Sequence, residues 1–359
     1  MSEERAEEIL KRYKQTINKK ITFGVGALVA LVLLFLYALA VGSFDMPITD
    51  VLAVFRGEDL GMANTIIWNI RLPQALSAIV AGAGLAISGM IMQTILKNPL
   101  GSPYTLGISQ AAGFGAAFSI VYLGVGSVHS GTEGDIIINN PYMTTISAFF
   151  WAAVSTGVIL LMAKYKNAAA ETLILTGVAM GSLFQAGTTG IQYFADDVEI
   201  SSIVFWTFGD VGRATWMDLT LMVIIFLLAL IYFLRNRWNY RTISSGDETA
   251  EALGVDVEKL RMRGMLVSSF LTALIVSFVG IIGFVGLVAP HIVRKLIGTG
   301  ENYLLPFSCL AGALLLLGAD TAARTIIAPV VLPVGILTSF LGAPLFIYLV
   351  LRRSEYMWS

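Results

Sequence analysis

An all-helical chain crossing a membrane about ten times is what this sequence predicts, and three observations carry the prediction. Hydrophobic residues make up 56% of the 359 positions and charged residues only 13%, against roughly 25% charged in ordinary soluble proteins. The charge is bunched, dense in 1–20 and 235–263 and absent from runs such as 21–41, the pattern of spans separated by loops. Threading the apolar windows alternately from a cytoplasmic N-terminus leaves all but four of the 23 lysines and arginines on the N-terminal side, as the positive-inside rule requires.

Residues 1–20, with Arg5, Lys11, Arg12, Lys14, Lys19 and Lys20, read as a cytoplasmic tail. The apolar run behind them is about 20 residues, long enough to cross hydrocarbon and longer than the core of a cleaved signal, so it is expected to be an uncleaved first span. Further spans fall near 66–96, 103–125, 144–163, 172–195, 215–234, 263–283, 285–297, 304–325 and 334–351. The eighth is short, but without it Arg352 and Arg353 would lie outside and the charge bias would break. Residues 21–353 are therefore expected to form one transmembrane domain, with 354–359 as a cytoplasmic tail. Trp68, Trp206 and Trp216 fall near the outer boundary and Trp238 and Trp358 near the inner one, where amphipathic rings settle.

Three connections are long. Outside, 42–65 holds a short helix signal behind Thr49 and Asp50, and 126–143 is a Gly, Ser and Asn-rich loop. Inside, 235–262 contains the acidic, glycine-closed segment Gly246–Gly254, which marks it as the natural partner-binding surface.

Catalysis finds no support. The chain has no HExxH and no GxSxG, and the lone Cys309 with His129 and His291 supplies neither a disulfide framework nor a metal centre. His291, behind Pro290, reads as a packing or capping residue. A net charge of −1 offers no basic surplus for nucleic acid. Without a GxxxxGK[ST] loop the chain cannot cradle ATP phosphates, so nucleotide chemistry must come from another subunit. No mid-span carboxylate is present for proton or sodium coupling, which weakens the alternative of a secondary transporter or channel acting alone. Asp320 and Arg324, four apart in the ninth span, are spaced to pair.

Small and polar residues form two stripes. Gly177, Gly181, Gln185, Thr188 and Gln192 share one face of the fifth span, and Gly335, Ser339, Gly342 and Phe346 one face of the tenth. Such a face avoids lipid, either as a helix seam or as the lining of a route. Gly82, Gly84, Ala86 and Gly89, with Gly280, Gly283 and Gly286, permit close packing elsewhere.

The stretches "RLPQALSAIVAGAGLAISGMIMQTILKNPLGSPYTLGIS" from Arg71, "GDETAEALGV" from Gly246, "GFVGLVAPHIVR" from Gly283, "LLLLGADTAART" and "LPVGILTSFLGAPLFIYLV" resemble those of the permease subunits of type II ABC importers. This is the FecCD-like family that moves iron-siderophores, haem, cobalamin and related metal chelates. The resemblance implies the type II importer permease fold in the cytoplasmic membrane, both termini inside, and a homodimer with two ABC ATPases and an extracytoplasmic binding protein. The chain itself would hold no cofactor or metal, ATP and Mg being bound by the ATPases. It further implies coupling helices within 244–260, with Gly246, Ala250, Ala252, Leu253 and Gly254 meeting the ATPase, and a route lined by the two stripes. A cytoplasmic gate at Asn98 and Leu100 with Ala169 and Ala170, and docking of the binding protein on Arg56 and Arg324, complete what it implies. The alanines at 169 and 170 depart from the family's small hydroxyl residues, and Arg71 reads as a structural anchor.

Overall fold

The computed structural model describes residues 3–42, 46–125, 141–165, 169–298, 300–328 and 330–351. The expected loop 126–143 lies mostly outside these residues, as do Arg352, Arg353, Trp358 and the tail 354–359. Fifteen α-helices follow one another: α1 (Glu3–Ala40), α2 (Ile48–Phe55), α3 (Met62–Ile66), α4 (Leu72–Ile95), α5 (Ile108–Tyr122), α6 (Pro141–Tyr165), α7 (Ala170–Phe194) and α8 (Asp197–Thr207). Then come α9 (Trp216–Arg235), α10 (Arg237–Ser244), α11 (Asp247–Ala252), α12 (Val257–Val279), α13 (Val285–Ile297), α14 (Glu301–Thr325) and α15 (Val334–Leu351). The ten expected spans correspond to α1, α4, α5, α6, α7, α9, α12, α13, α14 and α15. Among the described residues six segments, within α1, α3–α4, α6, α9, α12 and α14, are long and apolar enough to cross a hydrocarbon core by length and composition.

Four details differ from the sequence reading. α1 continues without a break from Glu3, so the segment read as a tail extends the helix of the first span. The third span shrinks to the 15 residues of α5, about 22 Å at 1.5 Å per residue, because 98–107 is taken up by turns ending at Gly107, whose φ is 77°. α12 starts at Val257 and stops at Gly280, φ 75°, so 280–284 is irregular instead of closing the seventh span. α8 lies in a stretch the sequence reading left unassigned. Asp196 accepts from the Glu199 amide at 2.9 Å while the Glu199 carboxylate accepts from the Asp196 amide at 3.1 Å, a capping box that satisfies two orphan donors of the first turn.

α4 is the axis of the bundle, buried along nearly its whole length and packed on α9, α12, α13 and α14. Glycines allow this. A Cβ on Gly82 would collide with the Gly312 carbonyl of α14, and one on Gly89 with the backbone of Gly286 in α13. With hydrocarbon around the bundle, such close backbone approach supplies the van der Waals contact that burial from water would otherwise provide. Near its C-terminal end, Gln93 of α4 donates to the Leu287 carbonyl at 3.2 Å and accepts from Arg294 of α13.

At the opposite end two buried arginines hold α1. Arg71 donates to the carbonyls of Leu39 and Ala40 at 2.7 and 2.8 Å. Arg324 donates to those of Ala38 and Val41 at 3.3 Å. These are carbonyls at the C-terminal end of α1, where the helix has no amides left to offer and its dipole favours positive charge. Trp68 and Trp216 lie exposed beside them, joined by a 2.9 Å bond from the Trp216 indole to the Trp68 carbonyl. Trp206 is buried and packs inside the protein.

Candidate coupling surface and transport faces

The segment between α9 and α12 folds into two short helices. α11 is bracketed by Gly246, φ 121°, and Gly254, φ 83°, backbone conformations that glycine reaches at least cost. At its end the Val255 amide bonds the Ala250 carbonyl and the Gly254 amide the Glu251 carbonyl, both at 2.9 Å. This pair of bonds is a Schellman closure. Ala252 is exposed and Leu253 is 66% exposed. Ala250 is fully buried: it turns toward its own chain and fixes the helix, which corrects its reading as a contact residue. The outward face consists of Glu248, Thr249, Glu251, Ala252 and Leu253.

An ion cluster absent from the sequence reading anchors this helix. Asp247, its first residue, pairs with Lys97 at 3.0 Å, and both its carboxylate oxygens accept from Arg261 at 3.1 Å. Arg261 is buried and donates through Nε to the carbonyl of Ile95, the last residue of α4, at 2.8 Å. Burial alone would push the Asp247 carboxyl up, but the hydrogen bonds and charges of Lys97 and Arg261 outweigh it and hold it below the usual carboxylate range. The three residues lie on three separate segments, so no local spacing announces them.

The segment proposed as a gate follows directly on Lys97, which holds a left-handed φ of 47°. The Asn98 side chain accepts from the Leu100 amide at 2.9 Å, the Asn98 amide bonds Gln93 at 3.1 Å, and Gly101 bonds the Asn98 carbonyl at 3.0 Å. The loop is thus braced internally, with Leu100 exposed. Ala169 and Ala170 open α7, the Ala169 carbonyl accepting from Leu173 at 3.2 Å, and both are half-buried. Through Lys97 and Asp247 the structure brings the Asn98 loop beside α11.

Both stripes pack, in part, against the chain's own turns. Gly177 and Gly181 of α7 lie against Leu106 and Gly107, and Thr188 is buried with its hydroxyl bonded to the Phe184 carbonyl at 2.9 Å. Gln185 is exposed and Gln192 half-buried. In α15, Gly335 sits on the Phe208 and Ile281 carbonyls, Ser339 beside Gly283, and Gly342 on Phe284. The faces left open overlap the stripes only at Gln185: Val178, Ser182, Gln185, Thr189 and Tyr193 on α7, and Phe340, Leu341, Ile347 and Tyr348 on α15. Behind the α15 seam is a cavity of about 240 Å³ among α13, α14 and α15. Its lining is apolar apart from Thr338 and offers little to a polar ligand.

At the opposite end of the bundle, Arg324 is 7% exposed. Its Nε and Nη2 reach Asp320 at 3.1 and 3.0 Å, and Asp320 also accepts from Gln74 at 2.8 Å. Bound to Asp320 and to α1, Arg324 does not present its charge at the surface, and its reading as a docking residue is corrected accordingly. Arg56 is exposed at the end of α2, beside the equally exposed Glu58 and Asp59. Arg213 donates to the carbonyls of Phe205 and Trp206, closing α8.

Residues 30–352 match the FecCD transport family. A chain of Methanocaldococcus jannaschii, whose name goes no further than an ABC transporter permease protein, is 52% identical over 345 residues, covering 96% of this chain and 98% of its own. The hemin transport system permease protein of Yersinia pestis is 36% identical over 332 residues, covering 90% and 95%. Among solved structures, an inward-facing conformation of a transporter assigned to the metal-chelate type of ABC transporter superposes with a TM-score of 0.79. It shares 30% sequence identity, over 92% of this chain and 98% of that one.

Proposed function

The chain belongs to the FecCD transport family and is a transport subunit of an ABC importer, and on that premise we propose that it imports a metal chelate of the haem, iron-siderophore or cobalamin class. It works in the cytoplasmic membrane as a homodimer with two ATPase subunits inside and a binding protein outside, both termini lying inside. ATP and Mg are bound by the ATPases. The observation that carries this reading is α11, a short helix closed by glycines, anchored to the rest of its chain and exposing Ala252 and Leu253. A rigid projection on the side rich in Lys and Arg is what an external motor needs to push on.

The open faces of α7 and α15, with Gln185 on the first and the half-buried Gln192 at its border, flank the route at the axis of the dimer, while Gly177, Gly181, Gly335 and Gly342 set how closely the two helices approach the turns behind them. The Asn98–Leu100 loop and Ala169–Ala170 close its cytoplasmic end. Alternating access follows when the loaded binding protein and ATP favour different states of the permease. Arg56 steers the binding protein, a contribution to encounter more than to affinity.

The test is reconstitution with the ATPase and binding protein that co-purify from the native membrane, with haemin, cyanocobalamin and a ferric siderophore as probes. ATP hydrolysis stimulated by one loaded receptor, with uptake of that probe, is the expected result. Uptake by the isolated chain without ATP would overturn the reading in favour of a secondary transporter or channel.

A further inference from the structure

We propose that Lys97, Asp247 and Arg261 form a clamp that makes the cytoplasmic gate loop travel with the coupling helix. The direction of the force rests on the importer reading above; the clamp itself does not. Asp247 is the first residue of α11, and its carboxylate is held from two sides. Lys97, which leads directly into the Asn98 loop, reaches it at 3.0 Å. Arg261, in the second turn of α12, bonds both its oxygens at 3.1 Å and the Ile95 carbonyl at 2.8 Å. One carboxylate on the coupling helix is thereby tied to the last turn of α4 and to the residue that opens the gate loop.

The loop can transmit what it receives. Asn98 bonds back to Gln93 and forward to Leu100, and Gly101 bonds Asn98, so 97–101 moves as a braced unit. Along the chain, Lys97 and Asp247 are about as far apart as two small domains, so displacement passes between these segments through side chains and packing. The link through Arg261 is the stiffer one, its side chain being only 6% exposed; the Lys97 link, with side chains 33% and 41% exposed, is softened by solvent. A buried guanidinium tolerates loss of its carboxylate poorly, so Arg261 keeps α11 from swinging free while Lys97 sets where the loop rides.

The clamp is tested in the full-length permease in lipid nanodiscs, with Cys309→Ser as background and nitroxide labels on Leu100→Cys and Leu253→Cys, both sites exposed in the wild type, carried by one protomer of a dimer whose other protomer has only the Cys309→Ser background. Pulsed electron resonance is expected to give one narrow distance peak. Lys97→Met and Asp247→Asn each lose that peak to a broad distribution with an unchanged gel-filtration profile, and Lys97→Arg and Asp247→Glu restore it. A narrow peak surviving in the Lys97→Met, Asp247→Asn double variant would overturn the proposal. With the ATPases added, a label pair at Leu100 across the dimer shifts on addition of Mg–ATP and loses that shift in Lys97→Met; a shift retained in Lys97→Met would also overturn it. Absence of any shift in the wild type would count against the importer reading, and the first measurement would still decide the clamp.

Discussion

Replacing Asp320 with alanine tests whether Arg324 is held inside the protein. In the native structure the Arg324 guanidinium makes two contacts to Asp320, at 3.0 and 3.1 Å, and reaches the α1 carbonyls of Ala38 and Val41 at 3.3 Å. Gln74 completes the cluster through a 2.8 Å bond to Asp320. Asp320→Ala leaves the carbonyls in place but strips a buried cation of its only carboxylate among the described ion pairs, a change that costs about 3–5 kcal/mol. At roughly 2 °C per kcal/mol for a chain of this size, the midpoint of thermal unfolding falls on the order of 6–10 °C. The double change Asp320→Met, Arg324→Met removes both charges together and recovers much of the loss. It does not recover all of it, because the Ala38 and Val41 carbonyls then lose the Arg324 donor, at about 1–3 kcal/mol for a group left unsatisfied. Fluorescence-detected size exclusion after heating measures all three proteins, with Arg56→Ala as an exposed control. An Asp320→Ala midpoint no lower than that of Arg56→Ala would refute the argument, since it would mean that the Arg324 charge is already accommodated by solvent.

Three further outcomes follow from the same geometry. Gly254→Pro cannot adopt the φ of 83° and removes the amide that bonds Glu251; receptor-stimulated ATPase activity is lost while the chain still elutes as a single folded species. Arg56→Glu slows capture of the binding protein in low salt by about tenfold and by much less near 0.5 M salt, measured by surface plasmon resonance; equal rates at low salt would remove its steering role. The Asp247 carboxyl is held below its ordinary value by Lys97 and Arg261 against the opposing effect of burial. Its contribution is therefore fully present above the unfolded value near 4 and is lost only as pH falls through the lower folded value. The Leu100–Leu253 label distance is accordingly constant from about pH 8 to pH 5, and a change within that window would contradict the ion cluster.

Much of the architecture is legible in the residues. Ten elements stand where hydropathy and the positive-inside count place spans, because transfer of a long apolar run from water is decided locally, residue by residue. α11 is legible for the same reason: an acidic first turn and a closing glycine are local signals, and Gly246 and Gly254 adopt the positive φ that glycine allows. α8 carried its own signal, the Asp196 and Glu199 spacing of a capping box, in a stretch where no apolar window drew attention to it.

What the sequence could not decide are the questions that depend on which way a residue faces and what lies opposite. A stripe at helical spacing says that Gly177, Gly181, Gly335 and Gly342 share faces; only the packed chain shows those faces turned onto Leu106, Gly107, Phe208 and Phe284. A charge at a span end looks the same whether it meets solvent or a helix terminus. Arg56 and Arg324 parted on that point because α1 ends beside Arg324 and leaves its carbonyls there to be satisfied. Ala250 and Ala252 are two residues apart, yet one is sealed inside and the other exposed, since a helical turn points them to opposite sides. Lys97, Asp247 and Arg261 meet only because the end of α4 comes together with the starts of α11 and α12. Local chemistry therefore determined the number and order of the apolar helices, while the three-dimensional packing determined which charges are anchors, which are surface, and which join α11 to the Asn98 loop.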